Sequence, residues 1–441
     1  MTYHKNIIIG FGKAGKTLAK KLSSIGEHVL LIEESQQMYG GTCINVGCIP
    51  SKSLITNANK NIPFVNAVQV KSELVSKLRN KNYHMISDES NIQLMNGHAQ
   101  FMSNKIIKVT MSDGTTNDVS GERIFINTGS IPIIPNIQGL NDNPYVITST
   151  QAMSLNKLPI NLVIIGTGYI GLEFAAMFNS FGSNVTMIGT SEDILRNDDK
   201  EVAQLVTNDL KEDGITFHLG ASIEKVVSSE VNATIYFKKQ GSLHTLEADY
   251  ILIATGRKPN IQNLGLQNTN IKITYNGTIQ VNEKLETTVQ DIYAMGDVKG
   301  GLQFTYISLD DYKIIYNQLY GDKTKTTNDR LVVPYTMFLS TPFSHVGITE
   351  EGAKTKGINY KVFKTLCANI PRANVVNKTR GMIKIIINKD TKKIVGATIY
   401  SQESHEIINL ICLAIKTDTP YTTLRDMIYT HPTMSEVLND M

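Results

Sequence analysis

Two cysteines, Cys43 and Cys48, stand five positions apart in a segment that reads Gly40-Gly41-Thr42-Cys43-Ile44-Asn45-Val46-Gly47-Cys48-Ile49-Pro50-Ser51-Lys52. In a regular helix that separation means a rise of ~7.5 Å, with the side chains on different sides. A disulfide needs Cα atoms about 4.4–6.8 Å apart. A bridge between these two therefore requires a distorted first turn, and Gly47 is placed to permit one. A helix N-terminus also lowers a thiol pKa and favours the reactive thiolate. The spacing and the flanking glycines together predict a dithiol/disulfide redox pair. They give no support to a metal site, because no second CxxC or Cys/His cluster completes four ligands. The chain has only 4 cysteines, too few for a secreted disulfide scaffold. The other two, Cys367 and Cys412, are isolated and read as core residues.

A redox pair turns over only when electrons are resupplied, and two glycine fingerprints suit dinucleotide carriers. Gly10-Phe11-Gly12-Lys13-Ala14-Gly15 follows the apolar Asn6-Ile7-Ile8-Ile9 and opens a helical pattern through Leu22. Gly166-Thr167-Gly168-Tyr169-Ile170-Gly171 follows Leu162-Val163-Ile164-Ile165. In each, Gly10, Gly12 and Gly15 or Gly166, Gly168 and Gly171 let the backbone approach a pyrophosphate at a helix N-terminus. Strand patterns follow at 28–33 and 184–189, and the two units lie 156 positions apart (166 − 10). That offset carries Glu33 onto Gly189, so one βαβ design is used twice. The Glu33 carboxylate can accept hydrogen bonds from a ribose diol, which suits FAD. Gly189 presents no carboxylate to repel a 2′-phosphate, and Thr190, Ser191 and Arg196 lie close in sequence. The second site is therefore read as one for NADPH or NADH, with a lean to NADPH.

The 441 residues suggest about three domains. The pattern is α/β: two Rossmann-like, doubly wound, three-layer dinucleotide-binding domains and a C-terminal α+β domain. The expected FAD-binding domain is 1–147 and 260–330, with an NAD(P)H-binding domain at 148–259 and an interface domain at 331–441. In the last, 382–387 and 394–400 read as strands around Asn388-Lys389-Asp390-Thr391, followed by a helix over 403–416. The polar stretch 321–330 reads as a linker. A net charge of +3 with scattered Lys and Arg gives no reason for a nucleic-acid or membrane partner. No apolar signal region precedes the first strand and no apolar run reaches membrane length, so a cytoplasmic location is expected.

The segment GGTCINVGCIPSK resembles the redox-active stretch of the FAD-dependent pyridine nucleotide–disulfide reductases. The resemblance runs nearly the whole chain, through Thr128-Gly129-Ser130, GTGYIGLEFA at 166–175, Ala254-Thr255-Gly256-Arg257-Lys258-Pro259-Asn260, Ala294-Met295-Gly296-Asp297 and Thr430-His431-Pro432-Thr433-Met434-Ser435-Glu436. It implies that Cys43 is the outer thiol that attacks substrate, while Cys48 lies against the flavin. It implies that Lys52 and Glu173 pair near the flavin, and that Tyr169 covers the nicotinamide pocket and moves when the cofactor binds. Gly41, Thr42, Ala99, Thr128, Gly129 and Asp297 would complete the FAD site, and Ile170 and Gly256 the nicotinamide site. His431 would be the general acid/base on Cys43, oriented by Glu436. Both would reach across a homodimer. The chemistry itself needs such a base, because a thiol must lose its proton to attack.

Departures narrow the choice within the family. Mercuric reductases carry a terminal cysteine pair, whereas this sequence reads Glu436-Val437-Leu438-Asn439-Asp440-Met441. Lipoamide dehydrogenases and glutathione reductases carry a second His two places before the catalytic one, where this chain has Tyr429. The stretch Leu302-Gln303-Phe304-Thr305-Tyr306-Ile307-Ser308-Leu309-Asp310-Asp311, with Met38-Tyr39, is similar to bacterial flavoproteins of the reactive-chlorine response. That resemblance implies reduction of hypothiocyanous acid to thiocyanate in oxidative stress defence. Lipoamide dehydrogenase-like activity, mercuric- or copper-type metal-ion reduction, and a redox sensor without turnover are the alternatives.

Overall fold

The β-branched run Asn6-Ile7-Ile8-Ile9 completes β1 (Thr2–Ile9), which leads into α1 (Lys13–Ser23) and β2 (Val29–Glu33). β1 pairs in parallel with β2 on one side and with β3 (Thr116–Ile126) on the other. Parallel strands are covered on both faces and so read as continuous apolar runs. Alternation along them is still visible in the packing. Ile7, Ile9, Leu30 and Ile32 enter one core, while Ile8, Val29 and Leu31 enter the other, against Ala14, Leu18 and Leu22 of α1. Ile92–Asn96 extends the sheet beyond β2, and Ile292–Ala294 pairs with the end of β3. Between β2 and Ile92 the chain forms α2 (Thr42–Asn45), α3 (Cys48–Ala58) and the long helix Phe64–Ser87.

The computed structural model describes residues 1–441, and its contacts group them into two units. The first holds Met1–Leu54, Asn66–Ile133 and Gly256–Asp329; the second holds Ile55–Val65, Ile134–Thr255 and Arg330–Met441. The chain leaves the first unit before residue 147 because Val146–Thr148 is recruited as a strand of the second unit's sheet. It returns before 260 because Arg257–Pro259 pairs with Ser130–Pro132. The expected linker at 321–330 contains the last crossing, after Asp329.

In the second unit the βαβ design recurs as β4 (Asn161–Ile165), α4 (Tyr169–Phe181) and β5 (Asn184–Ile188). The parallel sheet has the order Thr216–His218, β5, β4, β6 (Tyr250–Ile253), Val146–Thr148. α5 (Lys200–Glu212) follows β5, capped by the Asp199 carboxylate, which accepts from the Val202 N–H. A five-stranded antiparallel sheet holds β7 (Tyr335–Met337), β8 (Phe343–Gly347), β9 (Met382–Asn388), β10 (Ile394–Tyr400) and Tyr360–Leu366. α6 (Ser404–Lys416) packs its Ile407, Ile408 and Ile411 into the core of that sheet. The two strands and the helix expected from sequence here are present, within one residue at their ends. No helix is long and apolar enough to cross a membrane.

Candidate redox and dinucleotide sites

The turn between the two cysteines is broken where the spacing requires. α2 ends at Asn45, Val46 leaves helical geometry at φ −141° and ψ 14°, and α3 begins at Cys48. Gly47 is demanded by proximity: a Cβ there would stand 2.9 Å from the Thr42 carbonyl oxygen and 3.4 Å from Cys43 Cα. The two thiols come within hydrogen-bonding reach of each other. Cys48 Sγ also lies 3.6 Å from Thr305 Oγ1. Cys43 is half-buried and Cys48 exposed, so accessibility alone does not single out Cys43 as the outer thiol. The Cys48 hydrogen bond, and then burial, push the Cys43 thiol well above its ordinary value. A lowering by a helix N-terminus is not found at Cys43. α2 is only four residues long and offers little dipole, whereas a thiol bonded to its neighbour holds its proton.

Several residues that sequence reasoning missed hold this turn. The Asn45 amide donates to the carbonyls of Tyr39 (3.0 Å) and Gly41 (2.9 Å), and Arg79 Nε donates to Asn45 Oδ1 (2.8 Å). Lys16 Nζ donates to the Gly40 carbonyl at 3.3 Å and to Asn82 Oδ1. Lys16 is buried, and that burial pushes its pKa down to about 8. Lys52 lies one turn beyond Cys48 on α3. The signal available in the sequence was weak: a lysine directly after the third glycine of the first fingerprint.

The first fingerprint forms a backbone cradle. α1 has Gly12 at its N-cap and no side chain capping it. A Cβ on Gly10 or Gly12 would strike Asn127, and one on Gly15 would strike the Gly10 carbonyl. Gly41, at φ +77°, approaches so closely that its Cβ would stand 2.7 Å from Gly12 Cα. Glu33, at the end of β2, accepts from the N–H groups of Phe11 (2.8 Å) and Ser35 (3.1 Å), and burial raises its pKa. Beyond β3 lie Thr128 and Gly129, and the buried Thr128 hydroxyl has no hydrogen-bond partner. Asp297 accepts from Ser130 Oγ (2.7 Å), which is fixed by Arg257 through its Oγ (2.9 Å) and carbonyl (2.6 Å). Thr42 opens α2 beside Gly41. Ala99 packs its side chain into the sheet core, leaving only backbone to face a ligand. A glycine cradle, a carboxylate at the strand end and an orphaned buried hydroxyl fit an FAD-type dinucleotide.

The second fingerprint repeats the arrangement. Gly168 is the uncapped N-cap of α4, and a Cβ on Gly166 or Gly171 would strike the Ala254 or Gly166 carbonyl. A Cβ on Gly189 would stand 2.7 Å from the Thr167 side chain, so the position leaves no space for a carboxylate. Thr190 and Arg196 are exposed nearby in sequence, and Ser191 is half-buried. Ile170 is exposed, and Gly256 adopts φ +115°. Glu173 is buried and accepts from the Phe338 N–H at 2.8 Å. The Tyr169 hydroxyl donates to Asp198 Oδ2 at 3.0 Å. These groups fit a nicotinamide dinucleotide, with its pyrophosphate on the α4 N-terminus.

His431 and Glu436 form the pair that the sequence pattern requires. His431 Nδ1 lies 2.8 Å from Glu436 Oε2, with 71% of the imidazole side chain exposed against 17% for the carboxylate. A solvent-facing base oriented by a shielded carboxylate is the arrangement a proton-transfer group needs. Both line a cavity of about 320 Å³ with Thr365, Ile370 and Pro371. Cys367 is fully buried, which pushes its thiol up to about 12, and Cys412 packs at the edge of the same core. Neither stands among groups able to hold a metal.

Residues 4–311 match the pyridine nucleotide-disulphide oxidoreductase family, and residues 333–441 match its dimerisation domain. The chain is 44% identical, over all of its length and 99% of the relative's, to a probable pyridine nucleotide-disulfide oxidoreductase, RclA, of Escherichia coli (strain K12). It is 33% identical to a mercuric reductase of Staphylococcus aureus, over 98% of this chain and 80% of that one. It is 30% identical to a dihydrolipoyl dehydrogenase of Bacillus subtilis (strain 168), over 98% and 94%. The solved Cu(II) complex of the HOCl-induced flavoprotein disulfide reductase RclA from Escherichia coli superposes with a TM-score of 0.97 at 43% identity, covering 100% of this chain and 99% of that one.

Proposed function

This chain belongs to the pyridine nucleotide-disulphide oxidoreductase family and is a flavoprotein disulfide reductase with that family's dimerisation domain; from that premise we propose that it reduces hypothiocyanous acid to thiocyanate at Cys43–Cys48, with NADPH rather than NADH as the preferred donor. The observation that carries the reading is the broken turn, which brings two thiols together on a chain resembling an HOCl-induced reductase along its whole length. When bound, FAD and the nicotinamide supply the two electrons that return the disulfide to the dithiol.

The residues of the chain divide the remaining work. Cys43, deprotonated by His431, attacks the substrate sulfur and forms a Cys43–S–SCN adduct. The departing hydroxide takes a proton from the His431 imidazolium and leaves as water. Cys48 then attacks the Cys43 sulfur, expels thiocyanate and closes the disulfide, so two thiols are oxidised as one substrate molecule is reduced. Glu436 holds the imidazole through the 2.8 Å contact. We assign His431 and Glu436 to the partner subunit's site, Lys52 and Glu173 to the flavin's redox edge, and 1–147 with 260–330, 148–259 and 331–441 to the FAD, NAD(P)H and interface domains. A dithiol kept reduced by NAD(P)H fits the cytoplasm.

Steady-state NAD(P)H oxidation with purified holoenzyme tests the substrate. Hypothiocyanous acid should turn over far faster than lipoamide is reduced or dihydrolipoamide oxidised; parity would remove the assignment. NADPH and NADH run side by side test the donor preference. Metal-ion reduction is the second reading, favoured by likeness to a Cu(II)-bound reductase and to mercuric reductases. Cu(II) and Hg(II) therefore belong in the same panel.

A further inference from the structure

Three polar side chains from separate stretches of the second unit converge on one carboxylate. Tyr169 is the first residue of α4, directly after Gly168. Asp198 lies between β5 and α5 and is 6% exposed. Tyr335 opens β7. The Tyr169 hydroxyl donates to Asp198 Oδ2 at 3.0 Å, and the Tyr335 hydroxyl donates to Asp198 Oδ1. The two phenol rings stack, with centroids 5.5 Å apart and planes at 29°. His345 packs on Tyr335 at 5.3 Å and is itself held by Thr398 Oγ1 (2.9 Å) and the Gly347 carbonyl (3.0 Å). Each carboxylate oxygen thus receives one phenol, and a rigid base stands behind the second ring. The cluster lies past the C-terminal ends of β4 and β5, where open α/β sheets bind their ligands.

We propose that Asp198 and Tyr335 are positioning residues that latch Tyr169 across the second dinucleotide site, so that nucleotide binding is coupled to release of the Tyr169–Asp198 hydrogen bond. The proposal rests on reading the α4 N-terminus as the nicotinamide nucleotide site. A phosphate seated on that N-terminus meets the ring of the first helical residue, and moving the ring gives up a charge-assisted hydrogen bond and the stack on Tyr335. Tyr335 keeps the buried carboxylate partly satisfied while Tyr169 is away. Its hydroxyl therefore lowers the cost of opening, whereas the charge on Asp198 raises it.

Those opposite roles give a signed test. NADP⁺ and NAD⁺, which bind without turnover, are titrated calorimetrically into FAD-loaded wild type, Asp198→Asn and Tyr335→Phe, with thermal unfolding run alongside. Asp198→Asn turns an ionic grip into a neutral one, so the Kd of the better nucleotide should fall about threefold to tenfold. Tyr335→Phe keeps the ring but leaves the carboxylate dependent on Tyr169, so the Kd should rise by about threefold or more. The KM for NAD(P)H should move with each Kd. Tyr169→Phe, which removes the donated bond directly, should behave like Asp198→Asn and decides the matter if that variant does not fold. Shifts in the same direction for Asp198→Asn and Tyr335→Phe, as general loosening gives, or changes within about twofold for all variants, overturn the latch. If wild type binds neither nucleotide, the reading of the α4 site itself fails, and the latch with it.

Discussion

Replacing Gly47 with alanine should make the Cys43–Cys48 disulfide easier to reduce, by an amount the geometry bounds. The added Cβ would meet the Thr42 oxygen at 2.9 Å, the Thr42 carbonyl carbon at 3.3 Å and Cys43 Cα at 3.4 Å. All three are backbone atoms, so no side chain can swing aside. Relief comes only from separating residues 42–43 from 47–48, the two ends that carry the sulfurs. Overpacking of this kind costs roughly 1–3 kcal/mol. The dithiol tolerates a wider gap, whereas a disulfide holds its Cα atoms about 4.4–6.8 Å apart, so the oxidised form carries most of that cost. At about 30 mV per 1.4 kcal/mol for a two-electron couple, the potential should rise by roughly 20–60 mV. The assay is equilibration in graded glutathione buffers, trapping by alkylation and counting of labelled thiols by mass spectrometry. Gly352→Ala is the control, since its Cβ would meet nothing nearer than Thr349 Oγ1 at 3.4 Å. A folded Gly47→Ala protein with a potential within about 10 mV of wild type, or below it, would refute the reasoning.

Other perturbations follow from the same geometry. Lys384, 4% exposed, meets carboxylates of Asp199 at 3.0 Å, Glu201 at 3.1 Å and Glu350 at 2.6 Å. Lys384→Met leaves those carboxylates uncompensated and should cost about 3–5 kcal/mol in denaturant unfolding; a loss under about 1 kcal/mol contradicts the network. Lys16 titrates at about 8 in the folded chain and at 10.5 ordinarily, so between those values the unfolded chain binds the extra proton and stability rises with pH. Thermal unfolding from pH 7.5 to 10 should therefore be flatter in Lys16→Met, by up to roughly 3 kcal/mol across the window; parallel curves would show that the lysine is not the group responsible. His431→Ala should cut kcat/KM about 10²- to 10⁴-fold, with Glu436→Gln following at about tenfold. An undiminished rate in His431→Ala assigns proton transfer elsewhere.

What could be read from sequence was local. The five-position cysteine spacing required a broken turn, and the break falls at Val46 and Gly47. The glycines of both fingerprints sit where a Cβ would strike backbone, and Glu33 ends its strand with its carboxylate turned to Phe11 and Ser35. What stayed hidden was set by pairs distant along the chain. Tyr335 reaches Asp198 across 137 positions, Lys16 reaches Asn82 across 66, and Arg79 reaches Asn45 across 34. None leaves a periodic or spaced signature. The upward push on the Cys43 thiol was hidden likewise, because it depends on where Cys48 lies in space. Val146–Thr148 read as the end of one domain because its pairing with β6, about a hundred residues later, decides its sheet.

The account turns on electrons leaving through Cys43. Steady-state NAD(P)H oxidation by the FAD-loaded homodimer, with hypothiocyanous acid as acceptor, compares wild type with Cys43→Ser at equal flavin content. The mechanism predicts rapid, stoichiometric thiocyanate release by wild type and a loss of at least about 10²-fold in Cys43→Ser, since a serine hydroxyl can neither attack the substrate sulfur nor re-form the disulfide. Equal rates in the two proteins would contradict it.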